Sequence, residues 1–273
     1  MSERLSEKVR RFVRFVHDGS PRYGLVDGTE VAVIDPHPFA AHAATGERVP
    51  LEGLQLLAPV LPTKIIAAGH NYADHAAELG NEVPAEPLLF LKPSSSVIGP
   101  GEPIRLPTDR SSEVHHEVEL ALVIGALLQR VTPEQALAGV FGATVANDVS
   151  ARDLQRSEPQ WFGAKGFDSF CPLGPAIAVG LDLGDLRLRS FVDGELRQDG
   201  TTADLIQGVA ALVSRISQVM TLLPGDVVLT GTPAGVGPIE PGQTVRVEVE
   251  GIGVLENPVV DRNAPSPPTN GRG

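Results

Sequence analysis

Val114-His115-His116-Glu117-Val118-Glu119-Leu120-Ala121-Leu122-Val123-Ile124 is apolar and rich in β-branched residues, ends at Gly125, and reads as one strand. Side chains two apart on a strand share a face, so Glu117 and Glu119 project together while Val118 and Leu120 point the other way. Neighbouring like charges repel. Two surroundings relieve that repulsion: a solvated sheet edge, or a hard divalent cation such as Mg²⁺, Mn²⁺ or Ca²⁺ held between the carboxylates. The stretch by itself leaves both open.

Working outward, the next strand expected is Gly142 to Ala146, which leads into Asn147-Asp148. If the two strands are neighbours, Asp148 joins Glu117 and Glu119 at one point, an octahedral site with positions left for water and substrate. Between them Thr132-Pro133-Glu134 starts a helix, with a hydroxyl N-cap and proline at the first helical position. Upstream, Lys64 to Ala68 reads as a strand and Gly69-His70-Asn71-Tyr72 as a turn. Ala73 to Leu79 reads as a short helix on which His75 and Glu78, three apart, share a face as a base and its orienting partner. Pro84 to Pro107 holds six prolines, with Leu88 to Leu91 as its one strand-like piece. Downstream, Val149 to Gln155 is polar and helical or turn-like. Gln160 to Gly174 is aperiodic and carries the only tryptophan, Trp161. Arg152 and Lys165 are cations able to meet a substrate carboxylate or a developing oxyanion, or to stay solvated.

The remaining segments are β-rich. Arg11 to Val16, Tyr23 to Val26 and Thr29 to Ile34 form a small antiparallel unit, with a boundary near residue 60. A hairpin over Asp193-Gly194 and another over Glu250-Gly251 are expected, with one amphipathic helix from Leu205 to Met220 between them. Thr230 to Gly237 is a glycine-rich loop able to present backbone N–H groups to an anion. The division is therefore residues 1–60, a small N-terminal β domain; 61–262, a larger domain that carries the candidate catalytic groups; and 263–273, a Pro-, Gly- and Ser-rich tail expected to be disordered.

The chain has 273 residues, 42% hydrophobic and 21% charged, with a formal net charge of -12. That balance argues against nucleic-acid and anionic-membrane partners. A single cysteine, Cys171, excludes an internal disulfide and a CxxC metal site. Met1 to Arg10 is charged rather than apolar and no run suffices for a membrane span, so a cytoplasmic protein is expected. GxSxG, GxxxxGK[ST], HExxH and GxGxxG patterns are absent from the sequence.

His116-Glu117-Val118-Glu119-Leu120, Asn147-Asp148-Val149-Ser150-Ala151-Arg152-Asp153-Leu154-Gln155 and Phe167-Asp168-Ser169-Phe170-Cys171-Pro172-Leu173-Gly174-Pro175 resemble the fumarylacetoacetate hydrolase family. So do Gly69-His70-Asn71-Tyr72-Ala73-Asp74-His75, Phe90-Leu91-Lys92-Pro93 and Leu229-Thr230-Gly231-Thr232-Pro233-Ala234-Gly235-Val236-Gly237, all in order between Lys64 and Val260. The resemblance, to acylpyruvase-like and 2-hydroxyhepta-2,4-diene-1,7-dioate isomerase-like members, implies an α+β, mainly β fold. That fold is a mixed β-sandwich roll, usually in a homodimer. The resemblance also implies a divalent metal, Mg²⁺ or Mn²⁺ (Ca²⁺ in some crystals), on Glu117, Glu119 and Asp148. His75, Glu78 and Lys165 become the catalytic groups, and Gln155, Arg152, Lys92 and Thr232 the substrate contacts. Gly163 and Gly166 stand where many relatives carry arginine and serine. The function expected is hydrolytic C–C cleavage of acylpyruvate-like 2-oxo acids through an enolate, releasing pyruvate. Oxaloacetate decarboxylation or tautomerisation, and isomerisation of unsaturated 2-hydroxy dioic acids, are the alternatives. An inactive binding or oligomeric module is the alternative of another class.

Overall fold

Short β-branched segments dominate the chain, and the computed structural model, which describes residues 9–78, 80 and 86–264, builds them into strands. Leu79 and the tail from 265 onward lie outside the described residues. Among the described residues a 12-stranded mixed sheet forms the frame. Its spine runs, in spatial order, through Ala43–Pro50, Glu30–Asp35, Ser20–Asp27, Arg10–His17, Cys171–Val179, Val140–Asn147, Val118–Ile124, Val227–Leu229, Ile65–Gly69 and Leu88–Lys92. A five-stranded sheet, from Glu195–Thr201 through Arg187–Val192, Thr244–Val249 and Gly253–Asp261 to Ile104–Leu106, packs across its centre. This is the mainly β, α+β sandwich expected. No helix among the described residues is long and apolar enough to cross a membrane.

Val118–Ile124 is buried along its whole length because the frame sheet is covered on both faces. Leu120 and Leu122 belong to one hydrophobic core with Leu188, Val247 and Leu255 of the second sheet and Leu212, Val213 and Ile216 of the helix Val209–Val219. Ala121 and Val123 belong to a core on the other face that includes Phe12, Ile34 and Val60. A strand covered on both faces needs no polar alternation, so its near-continuous apolar run is the expected signature. The N-terminal strands are hydrogen-bonded into the same sheet: Arg10, Arg11 and Phe12 pair with Val179, Ala178 and Ile177.

Several local expectations are corrected. Val114–Ile124 is not one strand. Val114–His116 pairs with Ser150–Ala151 and Gly237–Pro238 in a separate three-stranded sheet, and the chain changes sheets at Glu117. Cys171–Val179, with Pro172, Gly174 and Pro175, is a central strand that those residues had hidden. Its register with Val140–Asn147 slips between the Val145–Gly174 and Ala143–Ala178 pairs, so Pro175 falls in a bulge where no ladder donor is required. Ala43–Pro50, Val97–Ile98 and Ile104–Leu106 are further strands in proline-flanked stretches. The helix begins at Val209, since Leu205 is drawn into a β-bridge with Tyr72.

At the change of sheets two backbone donors are caught by side chains. Glu117 N–H donates to Asn147 Oδ1 at 2.9 Å, and Val118 N–H donates to Gln198 Oε1 at 2.9 Å. Gln198 is fully buried. His116 Nδ1 lies 3.2 Å from the same Gln198 oxygen, and Gln198 Nε2 donates to Thr232 Oγ1 at 2.7 Å and Pro233 O at 2.8 Å. One amide thus ties the kinked strand to the glycine-rich loop. Gln198→Leu, of similar bulk, leaves these groups without partners at about 1–3 kcal/mol for each that stays dry. Chemical denaturation is expected to show a loss of about 2–5 kcal/mol, against less than about 0.5 kcal/mol for Leu196→Ala on the exposed face of the same hairpin. A loss below about 1 kcal/mol for Gln198→Leu would show that the clamp is dispensable.

Candidate active site

Antiparallel pairing sets Val118 opposite Asn147 and Glu119 opposite Ala146, so Asp148 emerges beside the acidic strand. Carboxylate oxygens of Glu117, Glu119 and Asp148 lie within 4.8 Å of one another, on side chains that are almost wholly buried. The solvated-edge reading of the paired acids is thereby excluded. The geometric condition posed by the sequence, that the strands be neighbours, is met.

Countercharge is unevenly distributed over the three acids. Lys165, last residue of the short helix Phe162–Lys165, donates from Nζ to Glu117 Oε2 and Asp148 Oδ2, both at 2.7 Å. Arg152 also donates to Glu117, and Lys92 Nζ reaches Asp148 Oδ1 at 2.5 Å. Glu119 forms no ion pair among the described residues, and Gly231 N–H donates to its Oε2 at 2.6 Å. Its burial, and then the charges of Asp148 and Glu117, push its carboxyl well above the usual range. Burial acts on Glu117 in the same sense, but Arg152 and Lys165 overcome it and hold that carboxyl low. Lys165 stays cationic, because Asp148 and Glu117 outweigh its desolvation. An all-oxygen set with one carboxylate short of positive charge fits a hard divalent cation.

His75, buried on the helix Ala73–Glu78, places Nδ1 3.2 Å from Glu78 Oε2. Burial lowers its pKa despite the pull of Glu117 and Glu78, so the imidazole is neutral at pH 7. Glu78 Oε1 in turn accepts Gly235 N–H at 3.0 Å. The glycine loop therefore does present N–H groups to anions, but to the protein's own Glu119 and Glu78.

The substrate contacts expected from the sequence separate into two groups. Arg152, Gln155 and Thr232 line the cavity over the acids. Arg152 donates to Gln155 Oε1 at 2.7 Å, and its buried Nε–H has no partner. Thr232 has its hydroxyl engaged, donating to Val118 O at 2.7 Å. Lys92 is not a lining residue: it is buried behind Asp148 and neutralises it. Two larger clefts, of about 580 and 610 Å³, hold none of these groups. His70, Phe90 and Trp161 complete the cavity and were not identified as site residues from sequence. The only available signal was a lone tryptophan in an aperiodic loop and a histidine inside a turn motif.

Residues 64–260 match the family model described as Fumarylacetoacetate (FAA) hydrolase C-terminal, and residues 10–59 match Rv2993c-like, N-terminal. The chain is 45% identical over 220 residues to oxaloacetate tautomerase fahd2, mitochondrial, of Xenopus laevis, covering 76% of this chain and 69% of that protein. It is 45% identical over 197 residues to oxaloacetate decarboxylase, mitochondrial, of Dictyostelium discoideum, covering 69% of this chain and 89% of the other. The crystal structure of 2-hydroxyhepta-2,4-diene-1,7-dioate isomerase from Mycobacterium marinum superposes with a TM-score of 0.86 at 45% identity, covering 93% of this chain and 99% of that one. These names favour the tautomerase, decarboxylase and isomerase readings over the C–C hydrolysis placed first on sequence. With the family model spanning well over half its length and the three acids, Lys165 and His75 gathered in one cavity, the chain belongs to the fumarylacetoacetate hydrolase family of enzymes.

Proposed function

We propose that the protein acts on short 2-oxo dicarboxylic acids of the oxaloacetate class, moving a proton between the carbon next to the 2-oxo group and the 2-oxygen. The observation that carries this reading is a neutral, oriented imidazole and a fixed ammonium facing one buried acid cluster. The names of the relatives agree with it.

Glu78 accepts from His75 Nδ1–H, which leaves the Nε2 lone pair as the base. His75 Nε2 takes a proton from C3 of the substrate. The C–H electron pair becomes the C2–C3 double bond, and the carbonyl pair moves to the 2-oxygen. Return of the proton to that oxygen gives the enol, and the reverse sequence restores the ketone. Lys165, held cationic by Glu117 and Asp148, opposes the charge that gathers on oxygen. Arg152 Nε–H and the Gln155 amide offer donors to the substrate carboxylates, while Lys92 holds Asp148 in place. Glu117, Glu119 and Asp148 would hold Mg²⁺ or Mn²⁺, which when bound supplies Lewis-acid polarisation of the 2-oxo acid head group. Loss of the distal carboxylate as CO₂ sends electrons to the same oxygen, so decarboxylation shares these groups. Hydrolysis of an acylpyruvate is the second reading, favoured by the His75–Glu78 hydrogen bond, since Nε2 can equally take a proton from water.

Two measurements test this. Ultraviolet absorbance of the oxaloacetate enol, with CO₂ release followed in parallel, is expected to show catalysed interconversion with Mg²⁺ or Mn²⁺ that is abolished by chelator. His75→Ala should lower kcat by about 10²–10⁴-fold; equal rates with and without chelator would remove the metal from the proposal. The second concerns stability. A carboxyl whose folded pKa is raised binds its proton more tightly in the folded state, so stability falls as pH rises above its unfolded value of about 4.3. Metal-free Glu119→Gln is therefore expected to melt higher than metal-free wild type at pH 7, with the gap closing as pH falls toward about 4. Mg²⁺ or Mn²⁺ should raise Tm of wild type and leave the variant unchanged. A variant that melts lower than wild type in chelator would contradict the charge imbalance at Glu119.

A further inference from the structure

We propose that Trp161, buttressed by His70 and Phe90, is the yielding wall of the cavity and sets the upper length of the substrate, confining the site to short-armed 2-oxo acids. The inference rests on the reading of the cavity as a 2-oxo acid site, and assigns its size selectivity to residues outside the acid cluster and the His–Glu pair.

The indole and the Lys165 ammonium are placed by one short segment. Trp161 O accepts the N–H of Ala164 at 3.1 Å and of Lys165 at 2.9 Å, so the tryptophan opens the turn that the lysine closes. The indole meets Phe90 edge-on at 5.2 Å and His70 edge-on at 5.6 Å between ring centroids. The ring also approaches Gly69 at the end of strand Ile65–Gly69, where a Cβ would lie 2.7 Å from it; glycine there is what lets the indole come this close to the strand. His70 follows in the left-handed region at φ 56°, a conformation uncommon outside glycine that turns its ring back toward the indole.

The cavity behind this wall measures about 10 Å³, so any substrate must displace part of the lining. Glu117, Asp148, Arg152 and Lys165 are held by buried ion pairs and cannot give way cheaply. Trp161 and His70 are only half-buried, and the indole can swing about its own side-chain bonds while the helix Phe162–Lys165 that follows keeps Lys165 in place. The wall therefore moves and the charged floor stays. How far the indole must swing grows with the arm that the 2-oxo head group carries.

Calorimetric binding of oxalate, a compact head-group probe, and of 2-oxoadipate, a long-armed one, to Mn²⁺-loaded protein tests this in wild type, Trp161→Ala, Trp161→Phe and His70→Gly. Trp161→Ala is expected to improve the affinity for 2-oxoadipate relative to oxalate by about 10-fold or more, and Trp161→Phe by less than about 3-fold. His70→Gly, which the left-handed backbone accommodates, should shift the ratio in the same direction and carries the test if Trp161→Ala does not fold. A ratio altered by less than about 2-fold in both, with oxalate binding kept, overturns the proposal. Oxaloacetate turnover in wild type with an unchanged ratio sinks the wall alone. A shifted ratio without turnover of any 2-oxo acid supports the wall and sinks the proposed reaction.

Discussion

The buried balance of charge around Glu119 is the constraint on which the site depends. Three carboxylates within 4.8 Å would repel strongly in a dry interior, and the fold answers with three cations that do not share themselves evenly. Glu117 and Asp148 are each paired twice, whereas Glu119 receives a backbone N–H. Buried charges are tolerated when paired and are costly otherwise. A protein that needed only stability would place an apolar residue at 119. The carboxylate at 119 leaves the cluster able to hold a divalent cation.

Topology makes that arrangement possible. The acidic strand leaves one sheet and enters another at Glu117, which frees its side chain from the strict alternation of a single ladder. Such a break exposes backbone donors in a place without water, and Asn147 and Gln198 supply the missing acceptors. The glycine-rich loop closes the arrangement from the far side, since Gly231 donates to Glu119 and Gly235 to Glu78. The acid cluster and the His–Glu pair are thus held by one loop, and their relative position follows from its backbone rather than from direct contact.

Much of this was legible in the residues. Glu117 and Glu119 are two apart on an apolar run, His75 and Glu78 are three apart on a short helix, and Asp148 follows a strand; spacing drew attention to each, but strand pairing and the change of sheets at Glu117 bring the three acids together. Cys171–Val179 was not legible, because Pro172, Gly174 and Pro175 are breakers everywhere except at a bulge, and a bulge is a property of the partner strand. Lys92 was read as a substrate contact through the family resemblance of Phe90-Leu91-Lys92-Pro93, and sequence gives no sign of its partner; the structure supplies Asp148. Gln198 and Trp161 stand 80 and 44 residues in sequence from Val118 and Glu117, and no period links such positions.

The reaction itself is less legible than the site for a physical reason. Proton transfer, decarboxylation and hydrolytic cleavage all deliver an electron pair to the same 2-oxygen, and the same cations oppose that charge. They differ in what occupies the space beyond C3: a proton facing His75, a carboxylate free to depart, or an acyl group with water beside it. In the proposed binding mode that space meets half-buried aromatic rings, set by backbone features as slight as the missing side chain of Gly69 and the left-handed turn at His70. Charge in this fold defines the chemistry that is possible. On the proposed role of Trp161, which member of that set is performed depends on the length of substrate that the aromatic wall admits.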